Sequence, residues 1–204
     1  MIAVSLLSIK DNLEKIEEVG RLNPDYIHID IMDGEFVPNK VDMLDLPEFE
    51  SKRDVHLMVH DVKKYVDLYK KYDPEYITFH YEANVDIKGM IRYIHNFGIK
   101  AGIAIKPGTS VSSIRNYLDE VELVLVMSVE PGAGEQVFMP ESVNKIKELK
   151  VLRDNNNRYN YSIEVDGGIN DETSKMCEDA DILVVGSYIT KSDDYEEKYK
   201  SVII

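Results

Sequence analysis

The chain predicts a single (β/α)8 TIM barrel, and three observations predict it. Short apolar runs, often β-branched, alternate with amphipathic stretches along the whole length. Eight such runs can be counted, the number that closes a parallel barrel. The turn after the first run, Leu7-Ser8-Ile9-Lys10, contains no glycine. A doubly wound open sheet usually carries a Gly-rich turn there, so the open alternative is disfavoured.

The strands are expected at Ile2–Leu6, Tyr26–Ile31, Val55–Val59, Tyr76–Phe79, Lys100–Ile105, Leu123–Met127, Ser162–Val165 and Ile182–Val185. Helices are expected between them. Asp11–Val19 spaces Leu13, Ile16 and Val19 for one helical face, and Val62–Lys71 does the same with Val62, Tyr65 and Val66. Ile87–Phe97, Ser112–Tyr117, Pro140–Leu152, Asp171–Cys177 and Asp193–Val202 follow, with Asp61, Ser110 and Asn170 as helix N-caps. Parallel strands need such crossovers. No linker or low-complexity tract interrupts the pattern, so residues 1–204 are expected to form one domain.

Totals narrow the function. The 204 residues carry a net charge of -14, which argues against nucleic acid because a phosphate backbone needs a basic face. An anionic substrate would have to be held by local N–H groups rather than by the overall field. No apolar run approaches the ~20 residues of a membrane helix, and no secretory signal is expected from the opening Met1-Ile2-Ala3-Val4-Ser5. The single Cys177 excludes an intrachain disulfide and fits a reducing compartment.

Strand side chains alternate, so residues two apart share a face. His28 and Asp30 therefore point one way and Ile27, Ile29 and Ile31 the other. In a barrel the active site lies at the C-terminal ends of the strands. Ser5, His28, Asp30, His56, Met58, Met127 and Asp166 all fall at or near such ends. Two imidazoles and two carboxylates suit one divalent ion, with zinc, iron, manganese or cobalt all compatible. Burying the four without an ion or charge partner would be expensive. Two carboxylates could also remove and return a proton on opposite faces of a carbon, as a stereochemical inversion requires.

Phosphate is expected at the loops after strands seven and eight, Asp166-Gly167-Gly168-Ile169-Asn170 and Val185-Gly186-Ser187, with Gly132-Ala133-Gly134 as a third candidate. No lysine or arginine stands in the first two loops. Met32, Met58 and Met127 either line the mouth or fill the core. His60 and His95 are expected to be solvated; His80, which follows strand four, is expected to be structural, with contact to the site as the alternative. Asp33 is expected to fix its loop, and Lys106-Pro107-Gly108-Thr109 reads as a turn rather than a catalytic lysine.

These segments resemble the ribulose-phosphate 3-epimerase family over nearly the whole chain. The resemblance is carried by His28-Ile29-Asp30-Ile31-Met32-Asp33-Gly34-Glu35-Phe36-Val37-Pro38-Asn39, Asp54-Val55-His56-Leu57-Met58-Val59, Ile77-Thr78-Phe79-His80, Gly102 to Thr109, Val126 to Gly132, and Ile163-Glu164-Val165-Asp166-Gly167-Gly168. It implies a cytoplasmic enzyme of the pentose phosphate pathway that interconverts D-ribulose 5-phosphate and D-xylulose 5-phosphate at C3. It implies metal ligands at His28, Asp30, His56 and Asp166, with Asp30 and Asp166 as the acid/base pair. Substrate contacts follow at Ser5, His56 and Asp166, and phosphate contacts at Gly167, Gly168, Gly186 and Ser187, helped by Gly132, Ala133 and Gly134. Association into a homo-oligomer is also implied.

The chain departs from the family pattern in places. No proline precedes Ser5, and Lys10 replaces an acid. Lys40–Arg53 is short and lacks the glycine-proline after Asn39. Glu135 replaces a glycine, and Tyr188 replaces a small residue. An epimerase of a hexulose phosphate such as allulose 6-phosphate would keep the same chemistry. A barrel that binds a sugar phosphate without turnover is the other alternative, against which the opposed carboxylates argue.

Overall fold

The computed structural model describes residues 1–203. Eight parallel strands follow in chain order: β1 (Ile2–Ser5), β2 (Tyr26–Asp33), β3 (Lys52–Met58), β4 (Tyr76–His80), β5 (Lys100–Ile105), β6 (Leu123–Met127), β7 (Ser162–Asp166) and β8 (Ile182–Val185). Each pairs with the next, and β1 pairs with both β2 and β8, so the sheet closes. The architecture is the (β/α)8 TIM barrel. One further strand, Lys40–Val41, folds back antiparallel on Asp33 and Met32. Two residues carry no alternation, so nothing in the sequence announces it.

Alternation sorts the strand residues into two layers. Ile27, Ile29, Ile31, Val55, Leu57, Ile77, Phe79, Ile103 and Val165 belong to the main apolar core, each at most 2% exposed. They meet Ile16 and Val19 of α1 (Leu13–Arg21), Val62 and Val66 of α2 (Val62–Tyr69), and Ile91 and Ile94 of α3 (Ile87–His95). Residues of the other phase fill the barrel. At its N-terminal end Tyr26 and Tyr76 pack with ring centroids 5.7 Å apart, alongside Ala3, Leu123, Ile182 and Val184. Polar residues replace apolar ones farther up the same strands.

Side-chain caps fix the helix starts. Asn12, Asp61 and Asp86 accept from the N–H of Lys15, Lys64 and Gly89. Ser110 does not cap: its Oγ pairs with the hydroxyls of Ser112 and Ser113, beside the one-turn helix α4 (Val111–Ile114). Helix α5 runs from Ser142 to Asp154, two residues beyond the expected end. The expected helix Asp171–Cys177 is only a 3-10 turn, Ser174–Cys177. Little chain remains between the loop after β7 and the start of β8, and the Asn170 side chain spends itself on a local turn with Glu172 and Thr173 N–H. The expected Asp193–Val202 helix is observed as α7 (Tyr195–Ser201), preceded by the unexpected single turn α6 (Ser187–Thr190).

Cys177 is fully buried, and burial pushes its thiol up to about 11. The folded protein is expected to be inert to a disulfide reagent at pH 8 and to react with one equivalent once unfolded in urea. Prompt reaction of the native protein would contradict the placement of Cys177 behind the sheet.

Candidate active site and metal centre

Register assembles the site. β2 and β3 pair so that Asp30 lies beside His56 and His28 beside Asp54. β1 brings Ser5 level with His28, and β6 brings Met127 level with Asp166. One ligand atom each from His28, Asp30, His56 and Asp166 lies within 4.8 Å of the others. His56 Nδ1 is 3.0 Å from Asp30 Oδ1 and 4.0 Å from Asp166 Oδ2, and His28 Nε2 is 3.3 Å from Asp30 Oδ1. Atoms bonded to one ion at ~2.0–2.2 Å sit roughly 3 Å or more from each other, so the set needs little movement to close on an ion.

The donor set could hold a divalent metal, and one atom tests that fit. His28 Nε2 is buried without a hydrogen-bond partner among the described residues and faces the Asp30 carboxylate at 3.3 Å. An orphaned nitrogen of this kind is costly unless something ligates it. Its orientation is set from behind, where Nδ1 meets Asp54 Oδ2 at 2.6 Å. A carboxylate behind a ligating imidazole fixes its tautomer and raises its basicity.

The two site carboxylates are pushed apart electrostatically. Burial would raise the Asp30 carboxyl, but His28 and His56 beside it outweigh this and hold it well below the usual range. Ser5 Oγ also donates to Asp30 Oδ2 at 2.8 Å. Burial and the Asp30 charge raise Asp166 to about 6. Burial would lower His28, yet Asp30 and Asp54 overcome it and raise the imidazole. Asp33 accepts from Glu35, Phe36 and His60 N–H and serves its loop, as expected.

Asp30 and Asp166 open into a cleft at the C-terminal mouth of the barrel. Ser5, Met32, Met58 and Met127 line it on the strand side, so the three methionines do reach the mouth. Gly132, Ala133, Gly134, Gly167, Gly168, Gly186 and Ser187 line the rest. His28 and His56 lie behind this lining, each fully buried. His56, expected to contact substrate, is not among the described residues that line the cleft. No lysine or arginine is among the described residues that line the cleft. Lys191 pairs instead with Glu135 at 2.5 Å, and Lys106 Nζ lies over the Phe36 ring. Tyr188 points elsewhere, sharing a hydrogen bond with Ser201.

Glycine is required at one of these loops. Gly168 has φ +66°, and a Cβ there would lie 2.6 Å from Phe138 N. Gly168→Ala is expected to cost about 1–3 kcal/mol of stability in urea titration, the range for strained backbone, and to weaken substrate binding. A neutral substitution would show that this loop relaxes freely. Glu135 also has a left-handed φ of +61°, which explains why glycine suits that position.

His80, expected to be structural, places its Nε2 only 2.9 Å from His56 Nε2. Burial lowers its imidazole to about 4. Asp54, Glu82 and Glu164 are participants that sequence reasoning missed. Asp54 and Glu164 stand two residues before His56 and Asp166, so the alternation rule already places them on the same inward faces. His60 and His95 are exposed, as expected.

Comparison with known proteins now fixes the family. A profile of the Ribulose-phosphate 3 epimerase family matches residues 1–190. The chain belongs to this family. It is 34% identical over 200 residues to the ribulose-phosphate 3-epimerase of Bacillus subtilis, covering 92% of this chain and 90% of that protein. It is 36% identical over 203 residues to that of Aquifex aeolicus, covering 94% and 90%. As a member of the ribulose-phosphate 3-epimerase family, it is an isomerase acting on carbohydrates. Among solved structures, KGPDC from Streptococcus mutans aligns with a TM-score of 0.65 at 11% identity, covering 98% of this chain and 94% of that one. A 3-hexulose-6-phosphate synthase aligns at 0.63 and 12%, covering 98% and 97%. These likenesses show the barrel fold. Among the described residues, no helix is long and apolar enough to cross a membrane.

Proposed function

We propose that this epimerase interconverts D-ribulose 5-phosphate and D-xylulose 5-phosphate by proton transfer at C3, with Asp30 and Asp166 as the two transfer groups. The observation that carries this reading is the pair itself. Two carboxylates share one cleft, and their surroundings push their proton affinities in opposite directions. They come from β2 and β7, with β1 and β8 between them on the shorter side of the barrel. A sugar seated in the cleft would thus meet one on each side of C3.

One carboxylate takes the C3 proton while the other delivers a proton to the opposite face, which inverts the centre. His28, Asp30, His56 and Asp166 would hold one divalent ion. When bound, that ion would supply positive charge against the negative charge that develops on oxygen as C3 loses its proton. Ser5 holds Asp30 through its hydroxyl and keeps the carboxylate aimed at the cleft. The phosphate would rest on N–H groups of Gly167, Gly168, Gly186 and Ser187, beside the Gly132–Gly134 loop. None of those four N–H groups makes a hydrogen bond among the described residues. Residues 1–204 would act as one catalytic domain, in the cytoplasm, within a homo-oligomer and within the pentose phosphate pathway.

Epimerisation rates for a panel of pentulose and hexulose phosphates, with and without chelator, test this reading. Ribulose 5-phosphate is expected to turn over fastest, and only without chelator. A preference for allulose 6-phosphate would move the assignment to a hexulose. Binding without turnover of any member of the panel would reduce the barrel to a receptor.

A further inference from the structure

We infer that His80 and Glu82 are positioning residues that make His56 a metal ligand through Nδ1. This rests on the reading of His56 as a ligand and names the device that would hold it in place. The chain of contacts is continuous, fully buried at the two imidazoles and half-buried at Glu82. His56 Nδ1 faces Asp30 and Asp166, and its Nε2 meets His80 Nε2 at 2.9 Å. His80 Nδ1 meets Glu82 Oε2 at 3.2 Å. Glu82 Oε1 accepts from Lys106 N–H at 2.9 Å and from Thr109 Oγ1 at 2.5 Å. Both imidazoles are fully buried, and Phe36 covers His80 with ring centroids 4.9 Å apart.

Hydrogen placement follows by elimination. Glu82 receives Lys106 N–H and Thr109 Oγ1–H on Oε1, and as an ionised carboxylate it accepts through Oε2 as well, so His80 Nδ1 carries the proton. A neutral His80 then has a lone pair on Nε2, which accepts the proton on His56 Nε2. With an ion bound, His56 then offers its Nδ1 lone pair to the convergence point of the other three ligands; without one, Nδ1 donates to Asp30 Oδ1 at 3.0 Å, and the ion takes the place of that proton. In the opposite arrangement His80 is protonated on both nitrogens and His56 Nδ1–H blocks the ligand set. That arrangement buries a cation with one carboxylate to balance it. Glu82 belongs to the turn that follows β4, and it grips the Lys106–Thr109 turn after β5. Two strand-end loops thus hold one imidazole by way of another. Asp54 performs the matching task for His28, through the opposite nitrogen.

The test uses zinc as the probe and reads affinity and tautomer rather than turnover. Zinc affinity of the full chain is measured by chelator competition for the wild type, Glu82→Gln and His80→Phe. Glutamine cannot accept from all three donors, and phenylalanine leaves His56 Nε2–H without an acceptor. Each substitution is expected to weaken zinc by about 10–100-fold, the range for partners of ligating histidines. Long-range proton–nitrogen spectra of the zinc-loaded wild type are expected to show His56 protonated at Nε2 and His80 at Nδ1. This second measurement needs no variant, so a misfolded substitution does not decide the matter. Zinc affinities within twofold of wild type in folded variants overturn the inference while leaving the ligand set intact; a zinc-loaded His56 protonated at Nδ1 overturns the inference and removes His56 from the set. Failure of the wild type to bind zinc, iron, manganese or cobalt overturns the ligand set itself.

Discussion

Asp166→Asn is expected to lower turnover by at least ~10²-fold, the low end for loss of a general acid or base, and Asp30→Asn to do the same. An amide has nearly the carboxylate's shape but cannot accept and return a proton. The two losses should differ in character. Asp30 accepts from Ser5 and lies against both imidazoles, so Asp30→Asn disturbs three contacts at once. Asp166 stands nearer the cleft, with its side chain 19% exposed, so Asp166→Asn is the cleaner removal of a proton carrier. Bound metal must be counted in both variants, because a lost ligand mimics a lost base. An Asp166→Asn protein with its metal and near-normal turnover would remove Asp166 from the chemistry.

Stripping the metal is the second large effect. Chelation is expected to abolish epimerisation while leaving the barrel folded, and one equivalent of a suitable divalent ion to restore the rate. The fold survives because the apolar core lies behind the strands, and because the site groups pair among themselves, as at His56–Asp30 and His28–Asp54. The pH dependence has a definite sign. His28 is raised above its ordinary value and Asp166 is raised to about 6, so the metal-free protein holds protons that an ion must displace. Affinity is therefore expected to fall as pH falls through about 6 and to rise above it. Calorimetric titration in buffers of different ionisation enthalpy would count the protons released. Zinc affinity that is flat between pH 5 and 8 would contradict this picture of the site.

The barrel was legible because its strands are chemically uniform on one face. Ile27, Ile29 and Ile31 speak for burial against helices, and His28 and Asp30 stand out only by contrast with them. The four proposed ligands were legible for the same reason: polar residues near strand ends share few destinations in a closed barrel. What the sequence withholds is reach. Alternation in Ile77-Thr78-Phe79-His80 turns the last imidazole inward, but nothing there tells that it meets His56, because contact across two strands depends on register. The buried oxygens of Glu164 escape notice in the sequence, although Glu164 shares a face with Asp166. Burial and the Asp54 charge raise the Glu164 carboxyl well above its ordinary value. Element ends were hidden wherever propensity is weak and tertiary space decides, as at the 3-10 turn Ser174–Cys177 and the Lys40–Val41 strand.

The most direct measurement follows the C3 hydrogen during the first turnovers in deuterium oxide. Unlabelled ribulose 5-phosphate is converted by the metal-loaded protein, and product and remaining substrate are examined by mass spectrometry and NMR. Two carboxylates on opposite faces predict xylulose 5-phosphate carrying one deuterium at C3, while early remaining ribulose 5-phosphate stays unlabelled. The departing proton and the arriving one then belong to different groups. Product that keeps its original C3 hydrogen would contradict the account at its centre.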